Sequence, residues 1–155
     1  WRLGEESSPS YKNWRNEVLL QNLNMGSITI CRTVTGTAIG TSFTALSAVL
    51  ASTVSSSFVV PTGVSAIKHV SVAMATDDVT ESATVCRLSG NALRDSGEQF
   101  INGPSMNTMA SSTGAFNGTV GTDVDFAVTP GNSIEVAMGA TTSITGDASV
   151  VLTFA

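Results

Sequence analysis

The chain holds one histidine, His69, and two cysteines, Cys31 and Cys86, so the side chains that most often carry nucleophilic or metal chemistry are scarce. A nucleophilic triad needs a base beside its nucleophile, and tetrahedral zinc needs several His or Cys ligands. His69 instead follows Lys68 in an alternating apolar run, where it reads as a structural or surface residue of a strand. Cys31 and Cys86 lack the CxxC spacing of a redox or metal site. They read as free thiols packed as small hydrophobes, with a disulfide as the alternative that only a Cα separation can decide.

The carboxylates give no stronger chemistry. Asp77, Asp78 and Glu81 form a local cluster, and Asp123 and Asp125 share one face at strand spacing. Calcium takes such oxygens on loops, but neither set has the EF-hand spacing, and both read as solvated acids at strand ends. Asp95, Glu98 and Glu135 offer no recognisable pair for glycoside hydrolysis. Gly90 and Gly97 belong to turns rather than to a phosphate loop opening a helix. Asn117-Gly118-Thr119 is a glycosylation acceptor pattern that matters only in a secretory context. We assign no catalytic, cofactor-binding or metal-ligating residue, and the chain reads as not an enzyme.

Composition points to scaffolding. A length of 155 residues fits one domain with a real core. Hydrophobic residues make up 42% and charged residues only 12%, about half the usual charged share. Ser, Thr and Gly fill the difference, giving a polar surface that is not ionic. Such a surface suits close packing against copies of the same chain, because fewer charges must be desolvated. It equally suits an extracellular or cell-surface β-domain. A net charge of −5, with Lys12 and Lys68 the only lysines, argues against nucleic-acid binding by the whole domain. The first residues hold no apolar signal-peptide core, and a chain beginning at Trp1 reads as a processed or partial product. Thr41 to Val60 is long and uncharged but too rich in Ser and Thr for a membrane span.

Two regions follow from the pattern: an arm over 1–26 and a β-domain over 27–155. The arm holds both tryptophans and the only tyrosine, Trp1, Trp14 and Tyr11, with six charges, Arg2, Glu5, Glu6, Lys12, Arg15 and Glu17. Ser10 can cap a short helix from Tyr11 to about Asn22, with Trp14 and Val18 on one face. Large aromatics outside the main domain suit docking on a neighbour, since they bury much area with few rotors. An arm folded back on its own domain is the alternative.

From Ile28 on, the chain reads as short strands. Ile28 to Val34 is the first. Phe43 to Val54 fits either a helical stripe or a strand, and we place a strand at Ala48 to Thr53. Ser57 to Val60 and Ala66 to Ala75 form a central strand–turn–strand pair around Pro61 and Gly63, with Val70, Val72 and Met74 on the buried face. Ala83 to Leu88 and Glu98 to Ile101 follow. Asn102 to Gly121 reads as one long irregular loop, whose Met106, Met109 and Phe116 either touch a partner or tuck the loop onto the sheet. Asp123 to Val128, Ser133 to Met138 and Ala148 to Phe154 close the chain, with Thr129-Pro130-Gly131-Asn132 as a turn. The intact apolar face of the last strand predicts a place inside a sheet. About eight strands with no helix between them predict an all-β fold, an antiparallel β-sandwich or barrel.

The runs F-V-V-P-T-G-V-S-A-I-K-H-V-S-V-A-M-A (58–75), T-P-G-N-S-I-E-V-A-M (129–138) and S-V-V-L-T-F (149–154) resemble the small single jelly-roll proteins of icosahedral virions, capsid and decoration proteins, phages included. The resemblance covers about residues 27–155 and is one of texture and strand pattern. It implies an eight-stranded jelly-roll sandwich, location in the virion, and homo-oligomers, trimers or larger, that contact copies of themselves and other capsid proteins. It also implies an N-terminal arm binding neighbours. Arg2, Lys12 and Arg15 are balanced by Glu5, Glu6 and Glu17, so direct genome contact is not expected. The interface residues this reading selects are Trp1, Tyr11, Trp14, Val18, Met106, Met109 and Phe116. A carbohydrate- or receptor-binding sandwich module and a non-viral surface-layer or filament subunit are the competing functions. No cofactor is expected in any of them.

Overall fold

The computed structural model describes residues 27–47, 56–78, 82–105 and 116–155. The expected arm helix and the strand expected at Ala48 to Thr53 lie outside these. Nine strands run in chain order: β1 (Ile28–Ile39), β2 (Thr44–Ala45), β3 (Ser57–Val59), β4 (Ala66–Thr76), β5 (Ala83–Ser89), β6 (Glu98–Ser105), β7 (Phe116–Ala127), β8 (Ser133–Ala140) and β9 (Ile144–Phe154). The described residues contain no helix, and the fold is all-β.

The strands make two antiparallel sheets. The first has the order β1-β9-β4-β7; the second has the order β2-β8-β5-β6, with β3 also paired to β8. Most connections therefore pass from one sheet to the other, the exceptions being β2 to β3 and β5 to β6. β9 lies between β1 and β4, so the last strand is interior, as its apolar face predicts. The residue after it is pinned as well, since Ala155 N donates to Ala66 O at 3.0 Å and Ser65 N donates to Ala155 O at 2.7 Å.

The inward faces of both sheets meet in one hydrophobic cluster. Val70, Val72 and Met74 of β4 and Val150 and Leu152 of β9 come from the first sheet; Leu88 and Ile134 come from the second. Alternation does this work, because every second side chain of a strand points to the same layer. Phe58 of β3 and Phe154 of β9 meet edge to face across the layers, with centroids 6.1 Å apart and planes at 85°. At one margin the two layers are joined by backbone, Thr33 N to Ser47 O at 2.8 Å and Ser47 N to Thr33 O at 2.9 Å.

Three expectations need correction. The run around Pro61 and Gly63 is no hairpin: β3 pairs with β8, whereas β4 pairs with β7 and β9. The turn carries the chain from one sheet to the other, with Gly63 at φ +87°. β1 continues past Val34 to Ile39, with a register shift between Val34 and Thr37 where Gly36 sits at φ +56°. A glycine there reads as a break in sequence but serves as a bulge in the ladder. The loop expected over Asn102 to Gly121 is strand at both ends, through Ser105 in β6 and from Phe116 in β7. The first half of β7 is interrupted by Asn117, Gly118 and Gly121, yet its backbone pairs with β4 from Thr76↔Phe116 to Ala66↔Ala127. Ladder pairing overrides weak propensity.

Candidate functional site

The singled-out chemical residues are dispersed. His69 and Lys68 sit where β4 shifts register against both neighbours, so two consecutive side chains lie toward solvent and not on opposite faces. Each meets an acid of β7: Lys68 Nζ lies 2.5 Å from Asp125 Oδ1, and His69 Nδ1 lies 2.7 Å from Asp123 Oδ1. The spacing of Asp123 and Asp125 on one face was legible in sequence; their partners across the ladder were not. The first is an exposed ion pair and the second an exposed His–carboxylate hydrogen bond, both on an open sheet face, and exposed pairs of this kind contribute little to stability.

Cys31 and Cys86 are both free. Cys86 is fully buried in the core, and burial pushes its thiol up to about 12. Cys31 lies in β1 of the other sheet, one residue out of phase with the inward-packed Ile30 and Arg32. A thiol on an outer face and a thiol in the core of the opposite layer do not meet.

Away from Lys68 and His69, the outer face of the first sheet is rich in small residues. A shallow trough of about 320 Å³ crosses all four strands, lined by Thr33, Ala73, Thr119, Asp147 and Ser149 among others. Beside it Asp77, Asp78 and Asp147 border a second open hollow. Asp147 Oδ1 is already engaged, accepting from Gly36 N at 2.7 Å. Among the described residues no three His, Cys, Asp or Glu side chains converge as metal ligands would.

The outer face of the second sheet is different in kind. The ladder sets Phe100 of β6 beside Arg87 of β5, and Arg87 beside Ala137 of β8. Just before β2, the Phe43 ring covers Gly139, where an added Cβ would stand 3.0 Å from the ring. The Arg87 guanidinium carbon lies 4.6 Å from the Phe43 centroid, and the Phe43 and Phe100 rings are 5.9 Å apart. Glu98 and Glu135 flank the guanidinium at 3.7 and 3.5 Å, and Ser56 Oγ donates to Glu135 Oε2 at 3.1 Å. The result is a small aromatic platform with a guanidinium over the Phe43 ring and carboxylates beside that guanidinium. Phe100 remains 56% exposed on it.

Sequence reasoning did not select Phe43, Arg87 or Phe100. The one available sign was that strand alternation places Phe100 with Glu98 and Asn102 on the polar face. Of the selected interface residues, Trp1, Tyr11, Trp14, Val18, Met106 and Met109 lie outside the described residues. Phe116 opens β7, half-buried against the core cluster.

No family model matches the chain. No curated protein matches it either.

Proposed function

We propose that this chain is a structural subunit of a virion shell, a capsid or decoration protein acting through self-assembly. The observation that carries the reading is the strand order, β1-β9-β4-β7 facing β2-β8-β5-β6. A jelly roll, in which two Greek-key halves wrap into two sheets, would have such an order, and that architecture is frequent among viral shell proteins. A fold hosts many functions, so the surface must supply the rest of the argument. Here the surface is charge-poor, with small residues on one outer face and an aromatic platform on the other. Both suit burial against other subunits. The reading assigns no catalysis, no cofactor and no genome contact. It places the chain in the virion as a homo-oligomer, trimeric or larger, touching copies of itself and other capsid proteins.

Electron microscopy and sedimentation of the purified full chain test it. Closed rings or shells are the expected outcome; extended filaments or sheets would instead mark a surface-layer or filament subunit.

One observation favours a second reading, a carbohydrate-binding module. Phe100 lies open on a sheet face beside Glu98 and Asn102, an arrangement able to stack on a sugar ring and accept its hydroxyl protons. Residues 27–155 contain no Trp or Tyr to extend that platform. Glycan binding by a chain that remains monomeric would establish this reading over the first.

A further inference from the structure

Two arginines of the domain lie over phenylalanine rings, and they differ in what else they meet. Arg87 stands 4.6 Å from the Phe43 centroid, with Glu98 and Glu135 at 3.7 and 3.5 Å. Arg32 stands 4.8 Å from the Phe58 centroid and, among the described residues, has no carboxylate partner. The unpaired cation is deeply placed. Alternation puts it between Ile30 and Val34 on the inward face of β1, where both neighbours pack on the core cluster, and Arg32 is 9% exposed. The ring beneath it is met edge to face by Phe154, so these surroundings are apolar. Nε is sealed from solvent without a partner, and Nη1 donates only to Cys31 O at 3.5 Å, beyond the usual range of a hydrogen bond. A cation so placed costs stability unless an anion joins it. Arginine keeps its proton throughout the neutral range, so the charge remains to be matched.

We propose that Arg32, between β1 and β3, is a binding site for a small monocarboxylate, which completes over Phe58 the ring–guanidinium–carboxylate arrangement that Arg87 makes over Phe43 with acids of the chain itself. The charge count selects the ligand class. One cation stands there without an acid, so a monoanion leaves the site neutral, whereas a dianion such as sulfate would leave a negative charge among apolar groups. A carboxylate also matches the planar fork of guanidinium donors. It meets the terminal nitrogens, because Nε is sealed. A single fork of this kind holds a carboxylate with a Kd of about a millimolar. The inference does not rest on the self-assembly reading, and its test reads ligand binding, not assembly.

The probe is sodium acetate, added to the full chain in buffer otherwise free of carboxylates. Saturation-transfer NMR observes the acetate methyl group and so serves for a single subunit or a large assembly. The expected result is a saturable acetate signal in the parent that is lost in Arg32→Met. At about ten times the measured Kd, Tm of the parent should exceed its value in sodium chloride of equal ionic strength by a few degrees, and Tm of Arg32→Met should not. Circular dichroism checks that the variant is folded. Should it not fold, Arg32→Lys takes its place; lysine keeps the charge and the stem but not the fork, and acetate should bind it more weakly. No acetate signal in the parent, an equal signal in the folded variant, or parent-specific stabilisation by sulfate but not by acetate overturns the proposal.

Discussion

The guanidinium carbon of Arg32 lies 4.8 Å from the centroid of the Phe58 ring, so a charged side chain of β1 in the first sheet covers an aromatic of β3 in the second. Arg32 is only 9% exposed. Among the described residues no carboxylate pairs with it, its Nε has no partner, and its one hydrogen bond is a long 3.5 Å donation from a terminal NH group to Cys31 O. Burial lowers its pKa from the ordinary arginine value, as expected for a cation taken from water without a counter-ion.

Arg32→Met should therefore be neutral or stabilising, by up to about 1 kcal/mol, because the thioether keeps the packing over Phe58 and removes an uncompensated buried charge. Urea denaturation measures it. A loss above about 1 kcal/mol would mean that the ring contact outweighs the desolvation.

The cysteines should separate by reactivity and by pH. A thiol reagent at pH 8 should modify Cys31 in the folded protein and reach Cys86 only on unfolding. Because the folded pKa of Cys86 is about 12 against an ordinary value of 9.0, the folded and unfolded thiols differ only above pH 9. There the unfolded state loses the proton first and stability falls, by about 1.4 kcal/mol per pH unit from this group. Denaturation midpoints from pH 8 to 11 should show that slope in the parent and a shallower one in Cys86→Ala.

Gly90 adopts φ +145°, and a Cβ there would overlap the Ser133 carbonyl oxygen. Gly90→Ala should destabilise by well over about 1 kcal/mol, since backbone and not a yielding side chain is in the way. Gly97, with open space around its Cβ position, provides the comparison. Gly97→Ala should stay within about 0.5 kcal/mol of the parent by the same denaturation assay.

Phe154→Ala should cost about 3–5 kcal/mol, the range for deleting a fully buried aromatic. Phe154 is completely inaccessible and meets Phe58 from the opposite sheet, so its loss opens a cavity between layers. Thermal melting by circular dichroism should show a single transition moved sharply downward.

Deletion of residues 1–22 should leave the β-sheet circular dichroism of the domain and abolish assembly in sedimentation. A truncated chain that assembles normally would remove the arm from the mechanism.

Much of this fold is legible along the chain because alternation is a local property. Val70, Val72 and Met74 announce an inward face without knowledge of any partner, and all three are buried. The same holds for Ala148, Val150, Leu152 and Phe154. The reading failed where the deciding term was pairing. The second half of β7 was legible as the strand from Asp123, but its first half, Phe116 to Thr122, is broken by Asn117, Gly118 and Gly121 and is shown to be strand by its ladder with β4. β3 and β4 look like a hairpin because they are adjacent, yet hydrogen bonds send them to different sheets.

The candidate surface divides in the same way. The sequence by itself determined an all-β domain and a charge-poor composition, since composition and period need no tertiary information. Only the tertiary structure decided that Phe43, Arg87 and Phe100, far apart in sequence, form one platform, that Lys68 and His69 both face the acids of β7, and that Cys31 and Cys86 stay apart. Those relationships depend on strand register and sheet order, which arise from long-range backbone pairing and leave no periodic trace in the residues themselves.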